Sequence, residues 1–536
     1  MQRATAMKCD IDMNRFRLRT FVEKLIDMGE VEIHDEPVPL SELSRIVEAT
    51  PKAVLFRKAG PEQVELVSSV AGGRRRLAAA FGVSTDGAWK EYLKRLESPQ
   101  PVVKVTSGEA PVHEIVMQGD DVDLSKLPFH PQHELDGGTY LASGIDYAID
   151  PETGVTNVGC RRLSLRNRRE LGINVTAPSD LKRIYSNAAA RGQRLPVSLA
   201  VGSHPLDFMA ATMRIPTDEV TLVATLRGAP LPLVKCVTND IYVPADVEMV
   251  FEGYLDEHGY HEPEGPYGET MGYYGPMHLD PVYCVTAVTM RRDVLYQTVL
   301  HGSNRILARA DSANLSALRA EAMAMKALRG VVKEPVAAYS IASSGGNQNL
   351  RIAIRQHAPG EARRAIHAIF SALMNAKHVF VVDHDVDIFD DSQMEWALST
   401  RFQADRDFVL VEGLPGMRMD ISLEGRRIGA KAGFDCTVPF ERKPTVATKS
   451  ATAPIFGGPP AGLRAGPRRF QTVREAVAAG PIYFTDIMRG LRSDDGREIA
   501  LELDALREEG VLCRNSDGQY LLGLSQKGAT TVVREG

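Results

Sequence analysis

Between residues 112 and 299 the chain is cut into short β-type runs by turn residues, and this rhythm constrains the fold more than any other feature. The runs are YLASGIDYAID (140–150), LPVSLAVG (195–202), VTLVATLRG (220–228), PLVKCVTND (232–240), MVFEGYL (249–255), VYCVTAVTM (282–290) and VLYQTVL (294–300). Gly, Pro, Asn and Asp separate them. Many short strands punctuated in this way predict a barrel or a two-layer β unit. Helical inserts are expected at 179–191 and 205–213.

The flanks read differently. Helical spacing over 16–28 ends at Gly29, VEIHDEPV alternates like a strand, and Ser41 is placed to cap a second helix. AVLFRKA and VELVSSVAG read as strands. GGRRRLAAAFGV reads as a turn entering a helix, with its arginines in solvent. Beyond 308, helices are expected at 312–330, 359–377 and 391–400, with strands at RIAIRQH and HVFVVDHDVDIFD. Strand–helix–strand units imply parallel or mixed pairing with crossovers. The expected organisation is α/β (α+β): an α/β region (1–111), a β-rich domain (112–305), a second α/β domain (306–453), a Pro/Gly linker (454–469) and a winged-helix-like tail (470–536).

Charge narrows the function. A net charge of −6 gives no basic field for nucleic acid or anionic membrane. The third helix expected in the tail carries Asp494, Asp495, Glu498, Glu502, Asp504, Glu508 and Glu509 against Arg497 and Arg507, which would repel phosphates. Docking or oligomerisation suits that tail better than DNA binding. No run approaches the roughly 20 apolar residues of a membrane span, and no apolar secretory leader opens the chain. Six scattered cysteines without a CxxC pair suit a reducing cytoplasm.

Chemistry concentrates in EPEGPYGETMGYYG (262–275). Glu264 and Glu269 sit in a segment too rich in Gly and Pro for a helix or central strand. A rigid turn holding two acids can serve as an acid/base platform; a solvated acidic loop is the alternative. In GVTNVGCRRLSLRN (154–167), Arg161 and Arg162 would point to opposite faces of a strand, one solvated and one able to fork onto a carboxylate. Asn157, Asp180, Asp218 and Glu219 offer hard oxygen ligands suited to Mg²⁺, Mn²⁺ or Ca²⁺, although Ser179 and Asp180 are equally placed as a helix start. SSGGNQN (343–349) reads as a loop or an anion nest. No Walker A motif, dinucleotide fingerprint or nucleophile elbow appears.

Taken together, TNVGCRR, NDIYVPADVEMVFEGYL (239–255), EGPYGETMGYY (264–274), DHDVDIFDDSQMEWALSTR (383–401) and KAGFDCT (431–437) resemble the UbiD-type decarboxylases, in order, over about 15–445. The tail lies outside that likeness. The resemblance implies a split β-barrel flavin-binding domain followed by an α/β domain used for self-association, as a homodimer or larger homo-oligomer. It implies prenylated FMN, supplied by a flavin prenyltransferase partner and anchored by Mn²⁺ (or Mg²⁺ or Fe²⁺) and K⁺. The implied reaction is reversible, non-oxidative decarboxylation of an aromatic, heteroaromatic or α,β-unsaturated carboxylic acid.

Carried over residue by residue, the likeness makes Arg162, Glu264 and Glu269 catalytic, with Glu269 the proton donor. Asn157 and Glu219 match metal ligands, and Asp180 stands where a histidine is common. Ala211 and Met213 fall where main-chain carbonyls meet K⁺. Cys160, Arg161, Ser179, Thr212 and Lys377 complete the implied flavin site, with Lys377 toward the phosphate. Cys160 and Arg161 replace a more usual apolar pair. Two rival readings are an aromatic acid presented as a CoA thioester, and a non-catalytic assembly protein docking through its acidic tail.

Overall fold

The computed structural model describes residues 11–213, 218–301, 303–441 and 467–523. The chain divides into two compact units, Met1–Thr437 and Val438–Gly536.

The β rhythm becomes a closed barrel. Six strands, β1 (Tyr140–Ile149), β2 (Thr156–Leu165), β3 (Glu170–Ile173), β4 (Leu195–Val201), β5 (Met249–Leu255) and β6 (Val282–Met290), pair antiparallel in the order β5-β4-β1-β2-β3-β6. Pairing of β6 with β5 closes the ring, and Ile115–Gln118 adds to β6 outside it. Period-two alternation divides β1, β2, β4 and β5 between two cores. Leu199 and Val201 enter one cluster with Leu141 and Phe251, while Ala200 enters another with Ile145, Tyr147 and Val250. Both faces are therefore apolar, which explains a burial pattern along β1 that hardly alternates.

The second face is covered by helices, and here one expectation fails. VTLVATLRG is not a strand but α3 (Glu219–Arg227), following α1 (Asp180–Ala190) and α2 (Pro205–Ala211). From Val220 to Arg227 every residue of α3 but Thr221 is buried. A helix buried almost all round has almost no polar face, so its pattern cannot be told from that of a buried strand. Its start is signalled by Asp218, whose carboxylate accepts the Thr221 N–H at 2.8 Å. PLVKCVTND contributes Leu231–Lys235, which leaves the barrel and pairs in a small sheet with Val102–Val105 and Tyr242–Pro244.

The amino-terminal sheet orders Val31–His34, Ala53–Ala59, Val64–Ser68 and Tyr296–Thr298, the last returning from beyond the barrel. Ser41 does not cap a helix; it lies within a 3-10 turn, Leu40–Glu42, that leads into Leu43–Ala49. Nor do the three arginines form a solvated start. Arg76 is 2% exposed, Arg74 pairs with buried Glu321, and only Arg75 projects, toward Glu30.

After the barrel, α4 (Asp311–Leu328) leads into a five-stranded sheet ordered Pro335–Ser340, Asn349–Ile354, His378–Asp383, Ile428–Cys436, Phe408–Pro415. The second unit holds Val473–Ala478, Phe484–Leu491 and Arg497–Glu508 with the hairpin Leu512–Arg514/Tyr520–Leu522, around a core that includes Val473, Ile487 and Leu503. The expected linker lies outside the described residues up to 466. No helix among the described residues is long and apolar enough to cross a membrane.

Candidate active site

Strand alternation on β2 sends its two arginines to different partners. Arg161 turns to buried Asp146, Nε to Oδ1 at 3.2 Å, and its Nη1 donates to the Cys160 carbonyl. Neither arginine is solvated, since their side chains are 13% and 9% exposed. Arg162 reaches the 262–275 segment. Its Nε donates to Glu264 Oε1 at 2.9 Å, its Nη2 to Glu264 Oε2 at 2.5 Å, and its Nη1 to Glu269. The guanidinium lies 4.5 Å from the centre of the Tyr267 ring. Burial alone would weaken its hold on the proton, but Glu264 and Glu269 outweigh this and raise its pKa. Glu264 is buried, and Glu269 is the more open of the two acids.

The acidic segment is held by residues 132–137, which sequence reasoning missed. Asp136 accepts the Gly268 N–H at 3.0 Å, Tyr267 donates to Gln132 at 2.6 Å, and the Gly137 N–H donates to the Pro266 carbonyl at 2.8 Å. Gly265 sits at φ +87°, and a Cβ on Gly137 would stand 2.3 Å from the Gly265 carbonyl oxygen. Both positions therefore exclude a side chain. His133 packs beside Gly268; burial disfavours its proton, but Asp136, the His301 carbonyl and Glu269 prevail and raise its pKa. A cavity of about 620 Å³ opens at this point, lined in part by His133, Gly268, Tyr273, Tyr274 and His301. Burial, with His133 and Arg162 nearby, pushes His301 down to about 4.

A second cluster forms where β2 meets the starts of α1 and α3. Glu219, the first residue of α3, accepts the Val158 N–H at 2.5 Å. Asn157 donates to Asp146 Oδ2 at 2.9 Å. Asp180 opens α1, beside Arg183 at 3.6 Å, and Ser179 caps that helix by accepting the Lys182 N–H. Burial raises the Glu219 carboxyl, and Asp180, Asp146 and Asp218 push it further, against the Val158 N–H. Asp180 and Asp146 are thus close enough to Glu219 to act on its carboxyl, and Val158, whose N–H it accepts, follows Asn157 in the chain. That donor chemistry fits a divalent cation.

The carboxyl end of α2 delivers Ala211, Thr212 and Met213 to the wall beside this cluster. Thr212 and Met213 line a cavity of about 800 Å³ with Thr221, Arg319, Lys326 and Asn347. That volume lies in the range that takes a cofactor. Arg319 donates to the Thr212 carbonyl. Cys160 packs against the core, and burial together with Asp146 pushes its thiol up to about 12.

Lys377 is not brought to that cavity. The preceding helix ends at Ala372, and the Lys377 ammonium donates to Asp420 and Ser422, each at 2.6 Å, at a small adjoining cavity that shares Met374 and Asn375 with the larger one. Asp146, Asp136, His133, His278 and Asp280 carry local signals at most. Asp146 is the clearest, a lone acid within an apolar strand.

Residues 103–304 match the family model UbiD, the 3-octaprenyl-4-hydroxybenzoate carboxy-lyase Rift-related domain, and residues 313–436 match UbiD_C, its C-terminal domain. The anhydromevalonate phosphate decarboxylase of Methanosarcina mazei is 30% identical over 426 residues, covering 78% of this chain and 95% of that protein. The UbiD-class enzyme HmfF of Pelotomaculum thermopropionicum in complex with FMN is similar at TM-score 0.76 and 33% identity, covering 82% of this chain and 98% of that one. An evolved dimeric form of HmfF, in complex with prFMN, is similar at TM-score 0.71 and 32% identity, over 80% and 96% of the two chains. The 3,4-dihydroxybenzoic acid decarboxylase of Klebsiella pneumoniae is similar at TM-score 0.71 and 27% identity, over 80% and 97%.

Proposed function

This chain belongs to the UbiD family, and on that premise we propose that it is a prenylated-FMN-dependent carboxy-lyase acting reversibly on an aromatic, heteroaromatic or α,β-unsaturated carboxylic acid. The observation that carries this reading is Arg162 bracketed by Glu264 and Glu269 beside a cavity.

When bound, prenylated FMN supplies the electron sink for the pair released as the carbon–carbon bond breaks. The protein supplies position and a proton. Arg162 binds the substrate carboxylate, and Glu264 fixes the angle of the guanidinium. Glu269 gives its proton to the carbon that has lost CO₂, and removes one in the carboxylation direction. Glu219, Asn157 and Asp180 would hold Mn²⁺ (or Mg²⁺ or Fe²⁺), and the carbonyls of Ala211 and Met213 would meet K⁺. Cys160, Arg161, Ser179 and Thr212 would border the flavin, which a separate prenyltransferase would supply. Arg319 and Lys326, which line the larger cavity, would take the place of Lys377 toward the phosphate.

Self-association belongs to this reading. The edge strand Phe408–Pro415 exposes Phe408 and Leu410, with Ile421 and Ile428 nearby, an apolar edge that a second copy would cover. A CoA thioester would call for a basic entrance. The cavity beside Glu269 instead balances Arg45 and His133 against Glu48 and Glu134.

The test is purification from cells that make prenylated flavin, an absorbance spectrum, and CO₂ release from a panel of aryl and acrylic acids. Flavin binding with CO₂ release supports the proposal. Flavin-free protein that turns over none of the acids overturns it.

A further inference from the structure

The turn that carries Glu264 and Glu269 is tied to a distant part of the chain through one histidine. His133 meets an acceptor at each ring nitrogen. Its Nδ1 lies 3.2 and 3.1 Å from Asp136 Oδ1 and Oδ2, and its Nε2 meets the main-chain carbonyl of His301. Asp136 is engaged in turn: Oδ1 accepts the Gly268 N–H at 3.0 Å, and Oδ2 accepts the His133 N–H at 2.9 Å. A chain of contacts therefore runs from His301, just past the strand Tyr296–Thr298, through the imidazole and Asp136 to the residue before Glu269.

A neutral imidazole has one N–H and one bare lone pair. In this position the bare nitrogen would face either a carboxylate or a carbonyl, with no proton between them. Only the imidazolium donates to both. Burial disfavours that charge, but Asp136, the His301 carbonyl and Glu269 outweigh burial and raise the pKa. Packing fixes the ring as well. The side chains of His133 and Asp136 are 10% and 1% exposed. A Cβ on Gly268 would stand 2.4 Å from the imidazole, and the Tyr267 ring meets it edge-on at 5.5 Å between centres.

We propose that His133, held as an imidazolium between Asp136 and the His301 carbonyl, is a positioning residue: it pins the acidic turn so that Glu269 meets the carbon that loses CO₂. This rests on the decarboxylase reading and adds no chemical step, since the proton still passes from Glu269 to carbon and both imidazole N–H groups stay on the ring. The groups that face His133 are Asp136 and His130 on its own segment, Glu269, Tyr267 and Tyr274 on the turn, and His301, with Arg162 beyond it. Arg45 and Glu48 of the helix Leu43–Ala49, with Glu134, border the same cavity.

The first test needs no turnover. Nitrogen NMR of the histidine-labelled full chain at pH 7, with the His133 signals assigned by their loss in His133→Asn, should show both ring nitrogens protonated. The second uses the full chain loaded with prenylated FMN. Wild-type kcat should fall as pH rises through the titration of His133, above the ordinary histidine value of about 6.5. His133→Asn keeps a donor near the Nδ1 position, and His133→Gln keeps one near Nε2. Both should retain flavin, lose about tenfold or more in kcat at pH 7, because a small displacement of a reacting group is costly, and show no alkaline limb. His133→Asn and Asp136→Asn together should cost no more than the worse of the two alone, since they break one pin.

A bare ring nitrogen on His133 at pH 7 overturns the inference. So does a wild-type alkaline limb that persists in both His133 variants, or additive loss in the double variant. Should neither His133 variant fold, Asp136→Asn decides: without the carboxylate the imidazolium loses its proton more easily, so the alkaline limb should move to lower pH, and an unchanged limb overturns the inference. A wild type that binds flavin but releases CO₂ from no acid is a different failure: it overturns the decarboxylase reading, and the role toward Glu269 with it, even where the nitrogen signals show the imidazolium.

Discussion

Arg162 and Glu264 meet as a fork: Nε and Nη2 of the guanidinium each donate to a separate carboxylate oxygen, at 2.9 and 2.5 Å, with both side chains almost out of solvent. A lysine offers a point charge in place of that planar pair. Arg162→Lys is therefore expected to lower kcat/KM about hundredfold or more despite the conserved charge. Steady-state CO₂ release checks this. Arg162→Met would leave Glu264 buried and unpaired, and urea unfolding should show a cost of about 3–5 kcal/mol.

Glu269 shares the guanidinium but is the more open acid, so its loss should touch chemistry rather than folding. Glu269→Gln is expected to retain flavin and the wild-type melting temperature while turnover drops by about 10²–10⁴. Near-normal CO₂ release from the flavin-loaded variant would remove Glu269 from the role of proton donor.

The sequence made the barrel legible because period-two runs survive wherever one face of a strand packs differently from the other. It misled at 220–228, where burial almost all round α3 erased the helical stripe. The neighbouring positions of Glu264 and Glu269 were visible as a Gly/Pro-rich acidic turn. What holds that turn was not, because Gln132 and Asp136 lie more than 130 residues away in the chain. Separation also hid His278 behind Glu264: a two-strand ladder of three pairs has no distinctive periodicity. Lys377 shows the converse. Its place before a strand was legible, but the partner that occupies its ammonium, Asp420, was not. Lys377→Ala is accordingly expected to leave flavin content unchanged, as read by absorbance of the purified protein.

The Glu219 carboxyl gives the proposed cation site a definite pH dependence. Burial and three neighbouring acids raise its pKa above the ordinary carboxylate range. Without a cation, ionising it costs folding free energy, and that cost sets in as pH rises from the ordinary carboxylate range through the raised value. A bound dication offsets it. Added Mn²⁺ should therefore raise the melting temperature more at pH 8 than at pH 5, and flavin retention after dialysis should fall as pH drops through the raised pKa. Glu219→Gln should remove the difference between the two pH values and lose the flavin.

The two helices that carry this wall are pinned at one point. Arg227, the last residue of α3, is buried and donates to Asp207 of α2 at 2.7 and 2.6 Å, and to Asp246 at 2.6 and 3.2 Å. Asp207 is pushed up by burial and pulled down by Arg227. Removing the guanidinium strands two buried carboxylates, so Arg227→Met should cost about 3–5 kcal/mol in urea unfolding. α3 begins at Glu219 and α2 ends at Ala211, so loosening their junction should also shift the cation site. The variant is expected to lose flavin faster on dialysis than the wild type at a temperature where it is still folded. Unchanged retention would separate the Arg227 triad from cofactor binding and leave it a purely structural pin.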